Sequence, residues 1–116
     1  MEVWESIDFV DIPGRWMPEW LGVRNRPSAS AAHRYTIDRH MVEVTSRLGR
    51  ETPSGGRYDD DHFEALLLAG ITHDIGKRAF VADHAAEGAR HVPVILKRMA
   101  TRRTSSTGLP CWCVSI

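Results

Sequence analysis

Apolar positions along the chain sort into three helical stretches. Ile37, Met41, Val44 and Leu48 recur at spacings of four, three and four, which puts their side chains on one face of an α-helix. This predicts a first helix over residues 35–49. Thr36 or Asp38 can cap its start, Gly49 marks its stop, and His40 lies beside the apolar stripe. A second helix is predicted from Asp60 to His73, through Phe63, Leu66, Leu67 and Ile71. It is apolar over most of its circumference and is expected to be the central core helix. The preceding Asp59-Asp60-Asp61 suits the positive end of a helix dipole. A third helix is predicted from Ala82 to Met99, interrupted or bent at Pro93, which lacks the N–H that a helix interior needs. Thr52-Pro53-Ser54-Gly55-Gly56 separates the first two helices as a loop. The predicted fold class is all-α.

The two ends follow no such period. Residues 1–31 are broken at Pro13-Gly14 and Pro18, and carry Trp4, Phe9, Trp16 and Trp20. Aromatics at this density pack against something; here the expected surface is a further domain, which makes residues 1–31 an irregular connector. Residues 101–116 are polar, then turn to Leu109-Pro110-Cys111-Trp112-Cys113-Val114 with neither helical nor strand spacing. This aberrant tail is expected to be a frameshifted reading of the next helix. Under the standard code, the second frame across Cys111-Trp112-Cys113 must read Leu-Val.

Composition narrows the classes. A chain of 116 residues with 42% hydrophobic content suits one small domain. Fifteen basic and fifteen acidic residues cancel, so charge gives no case for nucleic acid or membrane binding. No apolar run approaches the roughly 20 residues of a membrane span, and Met1-Glu2-Val3-Trp4-Glu5 does not resemble a signal peptide. The expected compartment is the cytoplasm. Cys111 and Cys113 are too close to pair with each other and make no zinc knuckle alone.

The chemistry concentrates in Gly70-Ile71-Thr72-His73-Asp74-Ile75-Gly76-Lys77, where an apolar helix ends in an imidazole beside a carboxylate. Neighbours on a helix point about 100° apart, so His73 and Asp74 can meet one ion only where the backbone turns. Ile75-Gly76 offers that break. His40, His73 and His84 can be assembled with Asp74 into a nitrogen and oxygen donor set suited to a divalent ion. Such an ion lowers the pKa of a bound water and polarises a phosphoryl oxygen, and Lys77 would help neutralise phosphate charge.

The order of these groups resembles the HD superfamily of metal-dependent phosphohydrolases: a His on one helix, then His-Asp-Ile-Gly-Lys closing the next, then Asp83-His84 before Gly88-Ala89. The resemblance narrows through Pro18-Glu19-Trp20, Val23-Arg24-Asn25-Arg26-Pro27 and His33-Arg34-Tyr35-Thr36-Ile37-Asp38-Arg39-His40. These look like the central region of bifunctional PII uridylyltransferase/uridylyl-removing enzymes, over roughly residues 12–100. The resemblance implies a partial HD helical bundle over residues 32–100. It implies His40, His73 and Asp74 as metal ligands, with Asp83 and His84 as weaker candidates, and Asp74 and Lys77 as catalytic groups. It further implies manganese or magnesium as cofactor, a PII-type signal protein as partner and glutamine as effector. The reaction it implies is removal of UMP from uridylyl-PII in nitrogen regulation. The family's final Asp ligand has no counterpart, which predicts impaired hydrolysis. Two other readings are a non-catalytic fragment binding metal, nucleotide or a partner protein, and a generic HD nucleotide phosphohydrolase.

Simpler roles are expected for the remaining polar residues: His33 as a structural hydrogen-bonding group, His62 solvent-facing, and His91 on the surface of the third helix. The Asp59–Asp61 run lacks the spacing and glycine of a calcium loop. A bundle of three helices would leave the apolar face of residues 63–71 exposed, so self-association is expected.

Overall fold

The computed structural model describes residues 2–30, 34–51 and 59–99. The His33, 52–58 loop and tail expectations lie outside these. Within them the protein is all-α: α1 (Glu2–Phe9), α2 (Ile12–Trp16), a 3-10 helix (Pro18–Gly22), α3 (Ile37–Glu51), α4 (Asp60–Thr72) and α5 (His84–Arg98).

The N-terminal arm is a chain of short helical pieces. Asp11 breaks α1 from α2 with a left-handed backbone (φ 58°), a conformation that Asp tolerates better than most residues. Pro13 then sits at the start of α2, where a missing N–H costs nothing. Helices this short leave no sustained period to read. Contrary to expectation, the arm's aromatics do not all await another surface. Trp20 is fully buried, and Met17, Trp20 and Val23 share one core with Ile37, Met41, Val42, Ile75, Val92, Ile95 and Leu96. Trp4 packs edge-on to Trp20 with ring centroids 5.3 Å apart; Phe9 and Trp16 stay exposed. Arg98 of α5 donates to both carboxylate oxygens of Glu19 (2.8 and 3.0 Å), and Arg24 is bound to Asp8 and Asp11. The Arg98 pair ties the arm to α5, and the Arg24 pairs hold the arm's own pieces together.

α3 begins where the Ile37 N–H donates to the Arg26 carbonyl (2.9 Å), and it runs two residues past Gly49. α4 starts as predicted, with Asp59 accepting from the His62 N–H (2.9 Å). It is not the central core helix. Only Gly70 and Thr72 of α4 are buried, and its leucines remain half-buried because they form a wall of the core rather than its middle. α4 meets α3 at Gly70, where a Cβ would stand 2.9 Å from Thr45 Oγ1 and 3.0 Å from Leu48 Cδ1. Glycine therefore sets how closely the two helices approach.

α5 starts two residues later than predicted, with Asp83 accepting from the Ala86 N–H as its cap (2.9 Å). It continues through Pro93 without interruption. Pro93 and Ala89, the residue whose carbonyl loses its partner, both face solvent, where water can reach the orphaned group.

Candidate metal centre

His73 is the C-cap of α4, its backbone still helical (φ −58°, ψ −30°). The chain then turns through residues 73–76, so His73 and Asp74 leave the helical 100° relation and swing toward one point. Ile75, fully buried in the core, anchors the turn. Its N–H donates to the Thr72 carbonyl, and the Lys77 N–H donates to the Asp74 carbonyl (both 3.0 Å). Gly76 is required by contact, since a Cβ there would strike the His84 carbonyl oxygen and stand 2.5 Å from the Gly88 nitrogen. The turn thus rests directly on the backbone of α5.

His40 reaches the same point from the first turns of α3. His40 Nε2 lies 4.0 Å from Asp74 Oδ2, and His73 Nε2 lies 3.6 Å from that oxygen. The two imidazoles meet edge to face, centroids 5.3 Å apart. One donor atom from each of His40, His73 and Asp74 falls within a 4.8 Å set. Two atoms that bind one first-row ion at about 2.1 Å are separated by about 3–4 Å, so the cluster needs adjustments of less than about 1 Å.

The donor chemistry fits a cation as well. His73 Nδ1 lies 2.8 Å from the Gly70 carbonyl oxygen. A carbonyl only accepts, so Nδ1 donates to it and Nε2 is the nitrogen turned toward Asp74, the arrangement found behind metal-binding histidines. Asp74 is the most enclosed of the three, with its side chain 7% exposed against 17% for His73 and 29% for His40. A buried carboxylate needs a compensating charge, and Lys77 supplies one: its Nζ donates to Asp74 Oδ2 at 2.8 Å. Lys77 therefore bonds the same oxygen that the two imidazoles face.

Asp83 and His84 are not in the cluster. Both are exposed, and one Asp83 oxygen is engaged in capping α5.

Sequence reasoning missed a second knot, which braces the turn from behind. His91, expected at the surface, has a side chain only 13% exposed. Its Nε2 lies 2.8 Å from Glu87 Oε1 and 2.9 Å from Arg78 Nη1. That nitrogen serves one neighbour at a time, donating to Glu87 as N–H or accepting from Arg78 through its lone pair. Arg90 also donates to Glu87 Oε1 (2.7 Å). Arg90 first, and His91 second, hold the Glu87 carboxyl down to about 2. Arg78 follows the His73–Lys77 stretch directly, so the knot fastens that stretch to α5. The i, i+4 spacing of Glu87 and His91 was the available signal. His62, by contrast, is exposed as expected and pairs with Asp59.

Over 88 residues, 76% of this chain, the sequence is 36% identical to the bifunctional uridylyltransferase/uridylyl-removing enzyme of Streptomyces coelicolor. It is 34% identical over 95 residues to the enzyme of that name from Mycobacterium tuberculosis strain H37Rv, covering 82% of this chain. It is 31% identical over 113 residues to that from Caulobacter vibrioides, covering 87%. The chain is thus related to a segment of these enzymes, and it spans about a tenth of their length (10%, 11% and 12%). No family model matches. No solved structure matches. Among the described residues, no helix is long and apolar enough to cross a membrane.

Proposed function

We propose that this chain carries the phosphohydrolase centre of a uridylyl-removing enzyme, an HD-type site in which His40, His73 and Asp74 hold a divalent ion, manganese or magnesium. The observation that carries this reading is the convergence of those three side chains in a segment related to enzymes named for uridylyl removal. The reaction is hydrolysis of the phosphodiester that joins UMP to a PII-type signal protein in the cytoplasm, with glutamine as effector. A bound divalent ion supplies Lewis acidity toward a phosphoryl oxygen and an acidified water.

The chain's own residues do the rest. The Gly70 carbonyl fixes the His73 tautomer. Ile75 and Gly76 fix the turn that aims Asp74. Lys77 holds the Asp74 carboxylate, and with a cation on that carboxylate its ammonium would be available to the substrate phosphate. Asp83 and His84, outside the cluster, stand as candidates for contacts beyond the first ion. A second reading is a site that binds metal without hydrolysis. It is favoured by the count of three clustered donors among the described residues, since a catalytic HD centre by resemblance uses a further Asp.

Calorimetry with manganese tests the site on the full chain. Binding by the wild type, abolished in His73→Ala, is the expected result; no binding, or equal binding by the variant, overturns the metal reading. UMP release from uridylyl-PII, with none from free nucleotides, separates this function from a generic nucleotide phosphohydrolase. Binding without release leaves the second reading.

A further inference from the structure

A cleft of about 370 Å³ opens between α1 and the start of α3, lined by Trp4, Glu5, Asp8, Tyr35, Asp38 and Arg39 among others. Its size is that of a small-molecule site. Asp38 and His40 are two residues apart on α3, about 200° around the helix, so the cleft lies on the face away from the metal cluster.

The charges lining the cleft are almost all matched. Arg39 donates to Glu5 (2.6 Å), and Asp8 is bound by Arg24 (3.3 Å). Asp38 is the exception. It is 8% exposed, its Oδ1 is closed to solvent, and that oxygen has no hydrogen-bond partner. No ion pair to Asp38 is present among the described residues. A carboxylate enclosed without a donor is costly, and such a group is retained where something completes it. The cleft beside it offers an aromatic wall, Trp4, and one lining carboxylate, Asp38, that no cation among the described residues matches.

We propose that this cleft binds an organic cation, a primary ammonium or guanidinium headgroup. The headgroup donates to Asp38, and its alkyl stem lies against the Trp4 ring, where a cation is also attracted by the ring's π-face. Trp4 itself packs edge-on against the buried Trp20. The same chemistry is carried by a free small amine and by a lysine or arginine side chain of a partner protein. This inference is independent of the metal centre.

The test is an NMR titration of the full chain, free of divalent metal, following the Trp4 indole N–H. The probes are n-propylammonium, methylguanidinium, the neutral comparator n-propanol, and a short acetylated, amidated peptide containing one lysine. The expected result is a saturable shift with the cations, with a Kd of roughly 1–10 mM, and none with propanol. A response stronger with the peptide assigns the site to a partner's side chain; one stronger with the small amines assigns it to a free ligand. Asp38→Asn should weaken binding at least tenfold. Glu5→Gln, on the exposed side of α1, should weaken it by a smaller factor and serves if Asp38→Asn fails to fold. The proposal is overturned by no saturable shift with any cation, by an equal response to propanol, or by titrations that the substitutions leave unchanged.

Discussion

Gly76 and Gly88 face each other across the contact between the candidate metal turn and α5, and their responses to a single methyl group should be opposite. At Gly76 a Cβ would collide with the His84 carbonyl oxygen, stand 2.5 Å from the Gly88 nitrogen and 3.0 Å from the Gly88 Cα. All three are backbone atoms, so no side-chain rotation relieves the overlap and α5 must move. Overpacking of this kind costs about 1–3 kcal/mol, and about 1 kcal/mol lowers the melting temperature of a domain this size by about 4–8 °C. Gly76→Ala should therefore melt about 10 °C below the wild type. It should also weaken metal binding, because the displaced turn carries His73 and Asp74. At Gly88 the nearest atoms to an added Cβ are Gly76 N and Cα at 3.7 and 3.9 Å, ordinary contact. Gly88 lies inside α5, where Ala is favoured over Gly by about 0.8–1 kcal/mol, so Gly88→Ala should melt a few degrees higher. Thermal unfolding followed by circular dichroism on both variants decides the matter. If Gly76→Ala is as stable as the wild type, or Gly88→Ala is the more damaging, the turn does not rest on α5 as described.

Lys77→Met should raise manganese affinity measured by calorimetry, since Nζ occupies Asp74 Oδ2 at 2.8 Å; a lower affinity would mean that Lys77 helps to assemble the site. Glu87 is held at about 2 when folded, below the usual carboxylate value of about 4.3. Its contribution is thus complete above that value and is lost as pH falls from about 4 toward 2; acid titration of Glu87→Gln should show a shallower decline across that window, and an unchanged profile would refute the assignment. With the leucines of α4 only half-buried, sedimentation at rising protein concentration should reveal self-association, and a monomer throughout with a high, cooperative melting transition would exclude it.

The elements with a long apolar period were legible in the sequence. α3, α4 and α5 appear within two residues of their predicted bounds at every end, and caps such as Asp59 and Asp83 act locally. The His73–Asp74 turn was legible for the same reason: a His-Asp pair followed by Ile-Gly both stops a helix and aims two donors. What sequence could not supply was depth. The rank of α4 in the core depends on the arm, whose Met17, Trp20 and Val23 fill the centre, and pieces of five to eight residues carry no period that announces this. Nor could spacing bury His91, which is enclosed by Arg78 from a different segment.

The Asp74 carboxylate unites these observations. Its Oδ2 is approached by His40, His73 and Lys77 from three positions in the chain, and its side chain is almost closed to water. A neutral imidazole whose lone pair faces a carboxylate oxygen gains nothing from it unless a proton or a cation lies between. The Gly70 carbonyl accepts from His73 Nδ1, which leaves Nε2 as the nitrogen that faces Asp74. Lys77 offsets part of the Asp74 charge, but from one side only. Two imidazole nitrogens and a carboxylate around one small space form a donor set that a cation would complete. The protein holds this arrangement in place with a buried isoleucine, a glycine contact and the Glu87 knot. Replacing Asp74 with Asn should therefore abolish metal binding while costing the fold little in the absence of metal. Calorimetry and thermal melts on that one variant would measure both effects, and a large loss of metal-free stability would show that Asp74 serves the fold rather than a cation.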